Sequence, residues 1–233
     1  MRYLDHAATT PLEPQVLEAM LPYLVERFGN PSEPHAAGRA ARAGLDDARA
    51  RVGEALGCGA VDVVFTGGGS EADNIAVLGR CDGPPGRLVV AAIEHPAVRG
   101  QAQRLAARGW DVAWLPCRPD GQVEAAALEE LVRPGDALCA LMAANNLTGV
   151  VQPVAAAAEV CARAGVPLHV DAVQAASGAA LDVAALPGRV TLAVAAHKLG
   201  GPKGVGALVG PGLRDLAPVL VGGGQERGLR PGT

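Results

Sequence analysis

The sequence predicts an α/β protein built on a mostly parallel, seven-stranded sheet with helices on both faces. Three observations predict it. Seven short apolar runs recur between residues 61 and 210, and helical stretches separate most of them. The runs are continuously apolar rather than alternating, as strands buried on both faces are. No repeat or linker interrupts residues 60–210, so the alternation belongs to one layered unit.

The elements follow in order. Val16, Met20, Leu21 and Leu24 recur at helical spacing over 14–27. A Gly/Pro/Asn turn, FGNPSEP, leads into an Ala/Arg-rich helix over 36–57 with Leu45, Val52 and Leu56 on one side. Strands are expected at 61–66, 87–93, 111–116, 137–144, 167–171, 191–196 and 205–210. Helices are expected at 70–78, 97–107, 123–133 and 154–164, with room for a short one after 171. The final stretch, VGGGQERGLRPGT, is Gly-rich and polar and closes no domain by itself.

Composition narrows the function. Of 233 residues, 49% are hydrophobic and 19% charged, enough apolar material for a sizeable core and too much for a disordered chain. Only two Trp, two Tyr and two Phe occur, so Ala, Val and Leu must build that core. A net charge of −4 with so few aromatics argues against nucleic-acid binding. No run approaches the ~18 apolar residues of a membrane span, and no apolar leader opens the sequence. Five scattered cysteines without a CxxC pair exclude a zinc ribbon or a thioredoxin motif and point to a reduced, cytoplasmic protein.

In open parallel sheets, ligands bind beyond the carboxyl ends of the strands. The first strand runs into GGGSEADN, where glycines allow close backbone approach and Ser70 reads as the N-cap, with Asp73 three residues on. Free N–H groups there suit an anion, although a plain strand–turn–helix connection reads the same way. His95 follows the second strand, the pair Asn145–Asn146 the fourth, and Asp171 with Gln174 the fifth. Each has an ordinary structural alternative: a satisfied polar residue, a turn, a helix cap. Lys198 follows the sixth strand among Ala and Gly, where partial desolvation would lower its pKa and free a nucleophilic amine. An exposed loop lysine is the alternative. Together, an anion cradle, a carboxylate and a lysine at one sheet edge are what pyridoxal 5′-phosphate (PLP) needs.

The strings YLDHAATTP, FGNPS, VFTGGGSEADN, EHPAV, NN-x-x-GVVQP, HVDAVQ, HKLGGPKGVGAL and GGGQERGLRPGT resemble, in family order, the NifS/IscS-like cysteine desulfurases of the class V aminotransferases, PLP enzymes of fold type I. The resemblance implies a PLP-binding large domain over 31–233, preceded by an N-terminal arm and helix over 1–30. It implies Lys198 as the Schiff-base lysine and general base, Asp171 on the pyridine nitrogen and His95 stacked on the ring. Asn146 and Gln174 would bond the phenolic oxygen, and Gly69, Ser70 and His197 the phosphate. Thr233 would reach the phosphate of a neighbouring subunit, which implies a homodimer. No metal ligand is implied. The implied reaction converts L-cysteine to alanine with sulfur transfer, to a sulfur-acceptor protein in the family's usual role.

Some features depart from the family pattern. Its persulfide cysteine and substrate-carboxylate arginine lie in a C-terminal small domain with which nothing here matches, so the chain reads as truncated. A complementing C-terminal chain is then a possible partner. Ala195 replaces a Ser of the phosphate cup, a change expected to remove one hydrogen bond worth ~0.5–1.5 kcal/mol. Leu147 replaces the Glu of Asn-Asn-Glu, and Pro231 the Ser of Arg-Ser-Gly-Thr. Gly69 replaces an Ala, a change expected to be harmless. Two other readings stay open on these grounds: a PLP enzyme of other chemistry, such as a β-lyase or aminotransferase, and a non-catalytic PLP-binding remnant or subunit.

Overall fold

The computed structural model describes residues 2–175 and 181–233. Seven strands form one sheet: β1 (Val63–Thr66), β2 (Arg87–Ala91), β3 (Asp111–Leu115), β4 (Leu138–Ala140), β5 (Leu168–Asp171), β6 (Val190–Ala195) and β7 (Gly206–Val209). Their order is β1-β7-β6-β5-β4-β2-β3. The pairs from β3 through β6 are parallel, whereas β7 is antiparallel to both β6 and β1. The expected mostly parallel sheet is therefore present. β7 enters the sheet from the edge at which the parallel strands end.

Six α-helices accompany it: α1 (Pro14–Val25), α2 (Ala36–Ala55), α3 (Gly69–Arg80), α4 (Pro96–Ala106), α5 (Ala125–Leu131) and α6 (Val154–Ala164). Strand residues alternate between the two faces. Val63, Val89, Cys139 and Leu192 join one core with Val154, Ala158 and Leu128 from α5 and α6. Leu88 and Val90 meet Val98 and Leu105 of α4 on the opposite face, and Val64 meets Ile75 and Ala76 of α3 there. At about 1.5–3 kcal/mol for each buried Leu, Ile or Val, these layers hold the sheet edge that carries the site.

The regular elements are shorter than the apolar runs suggest. β4 in particular keeps three residues of the expected 137–144. The chain beyond it still bonds to β5, through Leu141 N–H to His169 O at 3.0 Å and Ala143 N–H to Asp171 O at 2.8 Å. The short helix allowed after 171 falls largely on residues outside the described ones. α1 forms where its spacing predicts, but none of its residues is buried, and Leu21, Leu24 and nearby Phe28 are exposed. The arm is held instead by backbone bonds to the turn after β6. Thr10 N–H donates to His197 O and Glu13 N–H to Gly200 O, each at 2.8 Å.

Candidate active site

β1 and β6 both run antiparallel to β7, so their carboxyl ends share the edge where β2, β4 and β5 also end. The order of connection reverses between β2 and β4, and a crevice is expected there. A cavity of about 480 Å³ opens at this edge. Eight of the nine residues the sequence singles out line it: Gly69, Ser70, His95, Asn146, Asp171, Gln174, His197 and Lys198. Thr233 lines a second cavity, of about 800 Å³, alongside Arg49 and Arg230, with Gly204 on the wall between the two.

The anion cradle forms with one correction. Ser70 is not the N-cap of α3. The helix starts at Gly69, and Gly68 caps it with φ +148°, a conformation in which a side chain would be strained. Ser70 sits in the first helical turn. Gly67 N–H donates to Glu71 Oε2 at 2.8 Å, and Glu71 in turn pairs with Arg230 at 2.8 Å. Gly69 is not a neutral change either. A Cβ there would lie 2.5 Å from Val173 Cγ2, so glycine and the valine after Asp171 are packed to each other.

The Asn pair divides its work. Asn145 builds the turn, its Oδ1 accepting from the N–H groups of Leu147 and Thr148 at 3.0 Å, while Asn146 lines the cavity. His95 caps α4 by accepting the Ala97 N–H on Nδ1 at 3.2 Å. That bond assigns its neutral-form proton to Nε2. One ring nitrogen of His95 and one oxygen each of Asp73 and Asp171 lie within 4.8 Å of one another.

Lys198 Nζ donates to Ala7 O, and to Ala8 O at 3.0 Å, so the N-terminal arm holds the amine in place. Burial lowers its pKa, against the opposing charges of Asp171 and Asp5. His197 bonds Thr9 Oγ1 through Nδ1 at 3.1 Å. Burial lowers its pKa as well, helped by the neighbouring charges of Lys198 and Lys203. Gln174 Nε2 donates to Ala7 O at 2.8 Å.

The floor of the cavity, formed by Asp73 and Asp171 with the buried Glu94 and His169 beneath them, was largely missed by sequence reasoning. Asp73 is no capping residue. It is buried, and its Oδ1 meets His169 Nε2 at 3.1 Å, while His169 Nδ1 meets Thr191 Oγ1 at 3.0 Å. Glu94 is fully enclosed. One of its oxygens accepts the Met142 N–H at 2.5 Å, and the other has no partner. Burial, reinforced by Asp171 and Asp73, raises its pKa well above the usual carboxylate range. Asp171 is pushed up to about 7, chiefly by burial and then by Asp73, against the Val173 N–H, His169 and Lys198. The one sequence signal for this floor is a histidine inside the apolar run PLHVD.

The class-V aminotransferase family matches residues 2–230. An IscS-like cysteine desulfurase of Mycobacterium tuberculosis is 44% identical over 243 residues, covering 100% of this chain and 61% of that protein. A mouse cysteine desulfurase is 40% identical over 239 residues, covering 99% and 51%. Among solved structures, SspA in complex with cysteine superposes with a TM-score of 0.95 at 36% identity, covering 100% of this chain and 68% of that one. A NifS-like protein also gives 0.95, at 33% identity, covering 100% and 65%. The chain thus spans 51% to 61% of the length of these two curated relatives.

Proposed function

The chain belongs to the aminotransferase class-V family, and on that premise we propose that it is the PLP-binding part of a cysteine desulfurase acting on L-cysteine. The observation that carries this reading is Asp171. It is a buried carboxylate whose only hydrogen-bond donor among the described residues is the Val173 N–H at 3.0 Å, and it lines the same cavity as Lys198. A carboxyl so enclosed stays ionised only beside a cation. The protonated ring nitrogen of PLP is one, and the remaining groups fit the remainder of that molecule. Gly69, Ser70 and His197 would hold the phosphate, Asn146 and Gln174 the phenolic oxygen, and His95 the ring face. Bound PLP would supply an electron sink for negative charge developing at the substrate Cα.

The chain's own residues do the rest. Lys198 is the amine that holds and returns the proton at the substrate Cα, and its lowered pKa leaves more of it as the free amine near neutral pH. The carbonyls of Ala7 and Ala8 keep that amine aimed into the cavity. Asp171 must be ionised to hold a ring N–H, and the nearby Lys198 charge favours that state.

In the desulfurase reaction the substrate C–S bond breaks, sulfur joins an acceptor thiol as a persulfide, and a proton ends on the former sulfur-bearing carbon to give alanine. None of the five cysteines lines the cavity. We therefore assign the acceptor thiol to a group outside these 233 residues. The same observation favours a second reading, a lyase that converts L-cysteine and water to pyruvate, ammonia and hydrogen sulfide. We further propose a cytoplasmic homodimer in which Thr233 serves the partner's phosphate site. Among the described residues, no helix is long and apolar enough to cross a membrane.

The test is the visible spectrum of the protein mixed with PLP, with L-cysteine turnover followed alongside. A band that borohydride removes, absent in Lys198→Ala, is expected, together with alanine formation when a thiol acceptor is added. Pyruvate without alanine would favour the lyase. No band in the parent protein would overturn the PLP reading.

A further inference from the structure

The chain carries only two lysines, Lys198 and Lys203, against 18 arginines, and both line the same cavity. Lys203 lies on the turn that feeds β7. Because β7 runs against its neighbours, that turn lies at the edge where β1 ends. The contact is close: a Cβ on Gly206 would lie 2.7 Å from the backbone of Gly68 in the cradle loop. Lys203 is exposed and forms no ion pair among the described residues, and its one hydrogen bond is from Nζ to Thr10 O at 3.3 Å. Its charge acts on His197, and Glu71, Asp73 and Asp171 line the same cavity without bonding it. Glu71 in the cradle is already engaged by Arg230, so an ammonium at the cradle's rim with no carboxylate bonded to it among the described residues is placed for an anion.

We propose that Lys203 is a positioning residue whose ammonium meets an oxyanion of the bound ligand, either the phosphate of PLP or the carboxylate of the amino-acid substrate. The inference rests on the PLP reading above and adds to it. Lys198 works at the reacting carbon, and Lys203 holds charge at the rim. The arginines could not substitute simply, because a guanidinium is a broad planar fork whereas the ammonium is a compact point charge on a flexible stem.

The composition makes the test clean, since Lys198, Lys203 and the N-terminal amine are the only amines of the chain. Binding of PLP and of pyridoxal, which lacks the phosphate, is titrated by absorbance in the parent protein, Lys203→Gln and Lys203→Arg, at low and high salt. KM for L-cysteine is measured on the same samples, and thermal melts confirm that each variant folds. If the partner is the phosphate, Lys203→Gln weakens PLP about tenfold, the size of one charge-assisted hydrogen bond, leaves pyridoxal unchanged, and narrows the gap at high salt. If the partner is the carboxylate, PLP binding holds and KM rises by a similar factor. Unchanged PLP affinity and unchanged KM together would overturn the proposal. Borohydride trapping in Lys198→Ala adds a second check. Label on Lys203 would set its amine at the aldehyde end of the cofactor and likewise overturn it. A parent protein that does not bind PLP would instead sink the PLP reading itself.

Discussion

The two ends of the cavity are built in opposite ways. The cradle end is local: Gly67, Gly68, Gly69 and Ser70 are consecutive, and their backbone makes the site at the start of α3. The floor is assembled from afar. Asp171 ends β5, Glu94 follows β2, Asp73 rides on α3, and His169 and Thr191 come from β5 and β6. The cradle offers the N–H groups at the start of α3 to an anion, whereas the floor keeps Asp73, Asp171 and Glu94 buried, with His169 on Asp73. An anion site needs only a turn. A site for a cation needs several strands to bring negative charge together, and such charge is costly to bury until the cation arrives.

The largest expected effect breaks the floor's side of this comparison. Asp171 has a folded pKa of about 7 against an ordinary 3.8, so between those values the folded chain binds a proton that the unfolded chain has released. Stability without cofactor should therefore be highest below about pH 4 as far as this group is concerned, fall as pH rises toward 7, and level off above. Glu94, raised in the same direction, extends the slope upward. Urea unfolding across this range should show a decline of several kcal/mol, and Asp171→Asn should flatten most of it. Added PLP should also flatten it in the parent protein. A pH-independent midpoint without cofactor would mean that the floor's charges are solvated.

The same contrast explains what was legible in the sequence. Continuous apolar runs disclose buried strands, and the order of the strand ends discloses one shared edge. Lys198, Asp171, His95 and the glycines could be read because each follows a strand directly. Asp73 misled because, three residues after Ser70, it imitates a capping pattern, and only the packing of α3 on β5 turns it toward His169. Glu94 sits beside His95 in the chain, yet it accepts the N–H of Met142, just past β4 and 48 residues on. Nothing local signals such a contact. α1 has the right periodicity but an apolar stripe without cover, because spacing reports a helix and not what packs on it.

A smaller effect probes where cradle and floor touch. Gly69 and Val173 meet across the cavity wall, so Gly69→Ala should cost about 1–3 kcal/mol of overpacking, less the ~1 kcal/mol by which Ala favours a helix over Gly. Val173→Ala should relieve the clash. The double-mutant cycle should then give a coupling of about 0.5–3 kcal/mol, read from urea midpoints. Additive effects would mean that the two ends are packed independently and that the glycine serves the backbone alone.

The smallest effect sharpens the comparison at the cradle. Ala195 closes β6, is almost wholly buried, and stands close to Gly69. Ala195→Ser would add a hydroxyl where little solvent reaches. Without an anion that hydroxyl has to find a partner among packed neighbours, and an unsatisfied one costs about 1–3 kcal/mol. With a phosphate seated, it gains a hydrogen bond worth about 0.5–1.5 kcal/mol. The substitution should therefore act with opposite signs, lowering the melting temperature of the free protein and tightening PLP binding a few-fold. Pyridoxal, without the phosphate, should bind no better than before. Equal tightening of both ligands would mean that the hydroxyl touches the ring end, and that Ala195 belongs with the floor rather than the cradle.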